Sequence, residues 1–256
     1  MFGLLNHLLR PTSCYALCAV ARSGAHLLSA GLRATRMAGR PLQYFHEQLS
    51  LKYAARYGLD PTYHFGQYVR GIVKATATRN NVFGFRIEAY DLDRVLAQLR
   101  GSGAFGSSTA SESQLLESAF PHLRCILLTR QDKLRQAISK ARAMQTDRWV
   151  VREDEPRDRA PVFNPDLITH CLQSATISEQ IWNDFFRRNW IQPLTITYED
   201  LCTDYPKTVT RVLDYLRIRP PRSFVLPPPT TVRQADAMTE EWLARYSRLE
   251  AEKATR

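Results

Sequence analysis

The residues best suited to chemistry near the start of the sequence are Arg22, Ser23 and Gly24, which separate two apolar runs in CAVARSGAHLLS. The run before them (14–20) predicts a buried strand, and the run after them predicts a helix. A glycine in such a turn lets the backbone approach a ligand, and a helix N-terminus directs free N–H groups outward. Arg22 adds a permanent charge with a planar fork of donors. The turn therefore predicts a site for a phosphate or a similar tetrahedral oxyanion.

This turn lacks the motifs of two common nucleotide-binding loops. It contains no GxxxxGK[ST], so no lysine reaches between phosphates and no hydroxyl is placed to hold magnesium. It contains no GxGxxG either, which makes a dinucleotide site a weak hypothesis. On the turn alone, a tight strand–helix connection with an incidental arginine is the alternative.

A second candidate anion site follows the strand predicted over LRCILLT (123–129). Arg130 comes directly after this strand, and Ser139 lies further on in a helix with a basic face. Considered separately, an arginine in the position of Arg130 is more often a solvated strand-end cation, and a serine in the position of Ser139 is more often a helix-surface hydroxyl. The helix must fold back across the strand end, so both side chains can face one pocket. Two anion sites at the carboxyl ends of strands in one sheet predict a ligand with two separated anionic groups.

The elements that position these residues alternate between apolar strands and amphipathic helices. Strands are predicted over residues 14–20, 81–90, 123–129 and 193–198. The alternation predicts an α/β fold with a mainly parallel sheet and helices on both faces, in one domain spanning residues 1–256. Gly39 is expected to end the first helix and Thr239 to cap the last one. The Gly/Ser-rich stretch 101–113 is expected to be a mobile surface loop.

Charge and cysteine content narrow the classes of function. The 256 residues include 35 Lys and Arg against 25 Asp and Glu, a formal charge of +10 that favours anionic partners. The five cysteines have no CxxC pair and no zinc-type spacing, which predicts reduced core thiols in a cytoplasmic protein and no metal site. No run is long enough to span a membrane, although MFGLLNHLLR leaves peripheral membrane contact open.

Four segments, in order along most of the chain, resemble the bacterial trehalose 2-sulfotransferase family of the sulfotransferase superfamily. They are RSGAHLLSAGLRATRMAGRP, RQDKLRQAISKARAMQTDRW, TYEDL and RQADAMTEEWLARY. The resemblance implies a three-layer α/β sandwich, the P-loop-like sulfotransferase fold. It implies that the protein binds 3′-phosphoadenosine 5′-phosphosulfate (PAPS) without a metal and transfers the sulfuryl group to a hydroxyl, often of a sugar. It also suggests a homodimer.

The resemblance assigns the donor-binding residues by position. Arg130 and Ser139 would hold the 3′-phosphate, and Arg233 would close over the nucleotide. The 5′-phosphosulfate would be held by the turn and the start of the first helix, namely Arg22, Ser23, Gly24, Ala25, His26 and Leu27. Arg22 would also take part in catalysis by neutralising charge at the reacting group.

Two departures from the family concern charge and hydrogen bonding. Ala25 and His26 stand where the family has a Ser-Thr pair, so two hydroxyl donors are lost. His26 can replace one of them and, if protonated, adds charge; the alternative is an ordinary helix-start residue. Arg86 stands where the family has a lysine. It either steers the sulfonate or an acceptor hydroxyl or forms a structural ion pair.

A third departure affects the catalytic base. Gln43 stands where the family has its glutamate, and a glutamine cannot accept a proton at neutral pH, although it can hydrogen-bond a substrate hydroxyl. His46, Glu47 and Glu88 are the candidate replacements, because a histidine titrates near neutrality and burial raises the pKa of a carboxyl. The alternative is that all three are ordinary helix-start and strand-end groups.

The leading hypothesis is a PAPS-dependent sulfotransferase that acts on a carbohydrate, a glycolipid or another hydroxylated small molecule. A catalytically impaired nucleotide-binding protein of the same fold is the runner-up, because of Gln43. A basic binder of nucleic acid or membranes ranks third. The basic residues are spread over several helices and no aromatic-interleaved strand is present, so no nucleic-acid partner is expected.

Overall fold

The structure, a computed structural model, describes residues 11, 13–60, 64–149, 160–229 and 236–255. Within these ranges four strands form one all-parallel sheet in the order β2-β1-β3-β4. The strands are β1 Ser13–Ala19, β2 Val82–Glu88, β3 Arg124–Thr129 and β4 Leu194–Thr197. Each overlaps its predicted range, and the predicted parallel sheet is confirmed.

Helices connect the strands and follow the last one. A 3₁₀ turn, Ala89–Asp91, comes directly after β2. In chain order the helices are α1 Ala25–Ala34, α2 Glu47–Tyr57, α3 Phe65–Thr76, α4 Leu92–Gly101, α5 Glu112–Ala119, α6 Lys133–Thr146, α7 Pro165–Arg188, α8 Tyr198–Thr203, α9 Tyr205–Tyr215 and α10 Ala237–Ala254. None of these helices, which are those of the described residues, is long and apolar enough to cross a membrane.

The sheet is covered on both faces because successive residues of its strands point to opposite sides and are apolar on both. Tyr15 and Leu17 of β1 pack against α1 and α9 on one face. Cys14, Ala16 and Cys18 pack on the other face with residues of α3, α4, α5 and α7. The result is the predicted three-layer α/β sandwich. The strand cysteines are buried free thiols, as predicted, and burial raises the pKa of Cys14 to about 12.

The strand order creates a crevice at the carboxyl ends of β1 and β3. After β1 the chain adds β2 on one side and then crosses to add β3 on the other side of β1. Ligands of open α/β sheets bind at such a reversal of strand order. Arg22 follows β1 and Arg130 follows β3, so the two predicted anion sites flank this crevice.

Two predicted helix boundaries are wrong for identifiable reasons. α1 ends at Ala34 rather than at Gly39, because Thr35 Oγ1 accepts hydrogen bonds from the next two free N–H groups and turns the chain. α10 begins at Ala237 with Asp236 as its cap, and the Asp236 carboxylate accepts a hydrogen bond from the N–H of Thr239 (3.1 Å).

The Gly/Ser-rich stretch 101–113 is only partly a surface loop. Phe105 and Ala110 are buried in the core, which anchors the stretch in two places. Ser111 and Gln114 then form a reciprocal capping box that starts α5, a helix that was not predicted. Two buried side chains and a helix cap do not fit the expected mobile loop.

Candidate active site

A pocket of about 660 Å³ opens at the carboxyl ends of β1, β2 and β3. Most of the predicted site residues line it: Arg22, Gly24, Ala25, His26, Leu27, Gln43, His46, Arg86, Glu88, Arg130 and Ser139. Ser23 and Glu47 are not among its lining residues. Arg233 lies outside the described residues.

The β1–α1 turn brings backbone N–H groups to the pocket. Gly24 has a φ of 85° and caps α1 with no side-chain hydrogen bond. The positive φ favours glycine here, and a Cβ at this position would make a close contact of 3.0 Å with Leu201 Cδ1. The first N–H groups of α1 have no intrahelical acceptor, and its first turn contains no acidic residue. The start of α1 is therefore suited to bind an anion.

Ser23 is turned away from this surface. Its side chain is fully buried, and its hydroxyl has no hydrogen-bond partner among the described residues. Its backbone N–H donates to the carbonyl oxygen of Val20 (3.1 Å), which closes the turn. Ser23 thus shapes the turn, and its predicted contact with a ligand stays a prediction.

Arg22 links the two predicted anion sites directly. Its Nε donates to Ser139 Oγ at 2.9 Å, and its guanidinium also donates to the backbone carbonyl of Trp149 at 2.5 Å. Burial and the neighbouring cations Arg130 and Arg142 lower the pKa of Arg22 to about 10, so it stays positively charged at neutral pH. Its φ of 67° is in the left-handed region, which non-glycine residues seldom adopt.

Arg130 is a buried cation with an unused donor. Its guanidinium carbon lies 4.3 Å from the centre of the Tyr198 ring, and its Nε has no hydrogen-bond partner among the described residues. Burial lowers the pKa of Arg130, because the charged form loses hydration. A bound anion would pair with this charge and with Arg22, so the residues present fit a ligand that carries phosphate and sulfate groups.

One face of α6 completes the cationic wall. Arg135, Ser139 and Arg142 follow each other at helical spacing and all line the pocket. Arg142 donates two hydrogen bonds to the Asp236 carboxylate, at 2.7 and 2.8 Å, and so ties the start of α10 to this wall. The sequence predicted Ser139 of this helix as a site residue, but it did not indicate that Arg135 and Arg142 line the same pocket.

A different set of groups lines the pocket beside β2. Gln43 Nε2 donates to Glu88 Oε1 at 3.3 Å, and Arg86 Nε lies 4.0 Å from the same oxygen. Arg86 and Glu88 are both buried. Burial raises the pKa of Glu88, and Asp91 acts in the same direction, whereas Arg86 and Lys140 oppose the shift. Gln43, Arg86 and Glu88 are thus brought together as one hydrogen-bonded and ionic group.

His26 is held neutral next to this group. A guanidinium has only donors, so the 3.3 Å contact between Arg86 and His26 Nε2 requires that nitrogen to be unprotonated. Loss of hydration has the largest effect on the pKa of His26, and the positive charges of Arg86 and Arg22 act in the same direction. Together they lower this pKa to about 3. A neutral His26 adds no charge to the pocket, and its role as a replacement for a hydroxyl donor stays a prediction.

The two remaining base candidates differ in position. His46 precedes α2 and lines the pocket, but its Nδ1 is buried with no hydrogen-bond partner among the described residues. Glu47 is the first residue of α2 and is exposed. In the described part of the chain, no group of three or more His, Cys, Asp or Glu side chains is placed to hold a metal ion.

Comparison with known proteins identifies the family. The model of the Stf0 sulphotransferase family matches residues 14–249. The chain is 27% identical over 263 residues to trehalose 2-sulfotransferase of Mycolicibacterium smegmatis, which covers 93% of this chain and 95% of the relative. It is 28% identical over 260 residues to trehalose 2-sulfotransferase of Mycobacterium tuberculosis, which covers 91% and 93% of the two chains. The chain therefore belongs to the Stf0 sulphotransferase family and is a sulfotransferase, as its sequence motifs predicted.

Proposed function

We propose that the protein transfers a sulfuryl group from PAPS to a hydroxyl of a carbohydrate. The observation that carries this proposal is the hydrogen bond between Arg22 and Ser139, which joins the turn after β1 to the helix after β3 in one cationic pocket. A donor with a 5′-phosphosulfate and a 3′-phosphate has two anionic groups to match the two parts of this surface. Membership of the sulphotransferase family supports the same donor class.

The part of the pocket that would hold the donor consists of Arg22, Gly24, Arg130, Ser139 and Arg142, and it is called the donor half below. The α1 N-terminus and Arg22 would bind the 5′-phosphosulfate, and Arg130 with Ser139 would bind the 3′-phosphate. Sulfuryl transfer, like phosphoryl transfer, depends mainly on in-line positioning and on stabilising charge. Permanent cations and fixed N–H groups can do both.

The rest of the pocket suits a hydroxylated acceptor. It contains Gln43, Arg86, Glu88 and His46 and is called the acceptor half. Tyr90 lines it with an exposed side chain (62%), and an aromatic ring at a pocket wall can stack on the apolar face of a sugar. Both relatives compared above are named for a sugar, trehalose, which supports a carbohydrate acceptor.

The test is transfer of label from radiolabelled PAPS to trehalose and to a panel of other mono- and disaccharides. We expect a labelled sugar ester with the wild-type protein and at least about tenfold less with Arg130→Ala, since hydrogen bonds to charged groups contribute about 1.5–3 kcal/mol. Arg217→Ala, at a residue that does not line the pocket, is the matched control and should transfer normally. Binding of the donor without transfer to any sugar would contradict the proposal and support the impaired nucleotide-binding protein.

A further inference from the structure

We propose that Glu88, rather than a group at position 43, is the general base that takes the proton from the acceptor hydroxyl. This inference rests on the proposed function. It explains how a chain with glutamine at the family's base position can still perform the reaction.

Glu88 lies at the edge of the sheet where the reaction would take place. It is the last residue of β2 and is paired in register with Ala19, the last residue of β1. The turn that holds Arg22 begins directly after that residue. Glu88 lines the pocket although its side chain is largely buried, so its carboxyl is reached from the pocket rather than from bulk solvent.

The backbone brings position 43 beside Glu88. Leu42 forms a parallel bridge with Phe85, and the N–H of Arg86 donates to the Leu42 carbonyl at 2.9 Å. This extra pairing runs along β2 and delivers the Gln43 side chain to Glu88, where its amide donates to Oε1 at 3.3 Å. The side chains at positions 43 and 88 therefore end next to each other in the pocket, and a carboxylate at either position would reach nearly the same place.

The groups that face Glu88 come from several elements. Arg86 on β2 and Lys140 on α6 favour the ionised carboxylate, and Asp91 disfavours it. Tyr90 follows in the 3₁₀ turn, His46 lies before α2, and neutral His26 contacts Arg86. Because burial is the largest influence, the pKa of Glu88 is raised. A carboxylate whose pKa is raised is a stronger base than an ordinary one.

The competing bases are each less suitable. His26 accepts a hydrogen bond from Arg86 and has its pKa lowered to about 3, so it takes no proton at neutral pH. His46 has a buried Nδ1 without a partner among the described residues, so no hydrogen bond to that nitrogen orients the ring, whereas Gln43 orients the Glu88 carboxylate. Glu47 is exposed and does not line the pocket.

The proposed step balances without any further reactant. The acceptor oxygen forms a bond to the sulfur of the donor, and its proton moves to a Glu88 carboxylate oxygen. The bond between sulfur and the bridging phosphate oxygen breaks, and that electron pair leaves on 3′-phosphoadenosine 5′-phosphate (PAP). The proton on Glu88 then passes to solvent. Gln43 keeps the carboxylate oriented by donating to Oε1.

The experiment moves the carboxylate between the two positions. Single-turnover transfer from radiolabelled PAPS to trehalose is compared in wild type, Glu88→Gln, and the double variant Gln43→Glu/Glu88→Gln. Calorimetric titration with PAP checks that each variant folds with an intact donor half. Glu252→Gln, at an exposed position near the end of α10, is the matched control for the same chemical change.

We expect Glu88→Gln to lower the transfer rate by about 100- to 10,000-fold, the usual contribution of a general base, with PAP affinity within about twofold. The double variant should transfer sulfate at least about tenfold faster than Glu88→Gln alone. The wild-type rate should fall as pH decreases through the raised pKa, and Glu88→Gln should lose that dependence. Glu252→Gln should match wild type.

The outcomes separate this inference from the proposed function. If wild type transfers sulfate and Glu88→Gln transfers it equally well, Glu88 is not the base and the proposed function stands. Loss of rate in Glu47→Gln with retention in Glu88→Gln would assign the role to Glu47 instead. If wild type binds PAP but transfers sulfate to no sugar, both the proposed function and this inference fail.

Discussion

The donor half and the acceptor half of the pocket hold charge in different ways. In the donor half, the charges belong to arginines, and the N–H groups come from the backbone at the start of α1. In the acceptor half, a buried carboxyl contacts both an amide and a guanidinium, and a neutral imidazole contacts the guanidinium. Fixed charges and backbone donors must match the positions of the ligand's anionic groups, so these residues cannot be moved to neighbouring positions without loss of binding. A titratable group can be exchanged between neighbouring positions as long as its carboxylate reaches the same place.

Within the donor half, removal of Arg22 is expected to have the largest effect on the transfer rate. Arg22→Ala should lower the transfer rate by about 100- to 1,000-fold, the usual loss for one donor that faces developing negative charge. Arg36→Ala is a matched control, because Arg36 has a similar φ of 56° but is exposed and does not line the pocket. Single-turnover transfer measures both variants. If both variants lose the same fraction of the transfer rate, the loss comes from the left-handed backbone conformation and not from the charge of Arg22.

A Cβ at Gly24 tests the backbone part of the donor half. Gly24→Ala places a methyl group 3.0 Å from Leu201 Cδ1 at a φ of 85°. The left-handed conformation alone should cost about 1–2 kcal/mol in the free energy of unfolding, and displacement of the α1 N-terminus should also weaken PAP binding. Gly58→Ala has a φ of 63° with no atom within 4 Å of the added Cβ, so it isolates the conformational cost.

Urea denaturation and PAP calorimetry are to be measured for both glycine variants. The expected pattern is a loss of stability in both and a loss of PAP affinity in Gly24→Ala alone. If Gly24→Ala binds PAP as wild type does, the start of α1 is not part of the anion site.

The hydroxyl of Ser139 should make a smaller contribution. Ser139→Ala removes the acceptor of the Arg22 Nε hydrogen bond, and a hydrogen bond to a charged group contributes at least about 1.5 kcal/mol, or about tenfold in affinity. Ser113→Ala, at an exposed residue of α5, makes the same change away from the pocket. Calorimetry with PAP should separate the two variants. An unchanged affinity in Ser139→Ala would remove Ser139 from the donor half.

His26 should show almost no response to pH, which distinguishes it from a charge-carrying member of the donor half. Its pKa of about 3 keeps the folded ring neutral, so its NMR resonances should not shift between about pH 5 and 8. The unfolded chain binds a proton near pH 6.5, so stability declines as pH falls from about 6.5 toward 3. His26→Gln should reduce that decline. A titration of His26 near neutrality would contradict the neutral assignment.

The sequence predicted the donor half better than the acceptor half for a physical reason. Arg22 and Arg130 directly follow apolar strands, and parallel strands bring their carboxyl ends to one edge, so local pattern is enough to place them. The Gln43–Glu88 contact depends on the short pairing of Leu42 with Phe85, which has no local pattern. The role of the α6 face depends on the orientation of that helix against the sheet, which its own sequence does not determine. The end of α1 and the start of α10 are set by side-chain hydrogen bonds of Thr35 and Asp236, and not by Gly39 and Thr239 as the local sequence predicted.

The central claim is that two separate anionic groups of one nucleotide bind in the donor half, and calorimetry with two ligands tests it most directly. PAP and adenosine 5′-monophosphate differ only in the 3′-phosphate, and both are titrated into wild type and Arg130→Ala. We expect Arg130→Ala to weaken PAP binding by about 10- to 100-fold and to leave adenosine 5′-monophosphate binding within about twofold. Equal weakening of both ligands, or of neither, would contradict a dedicated 3′-phosphate site at Arg130.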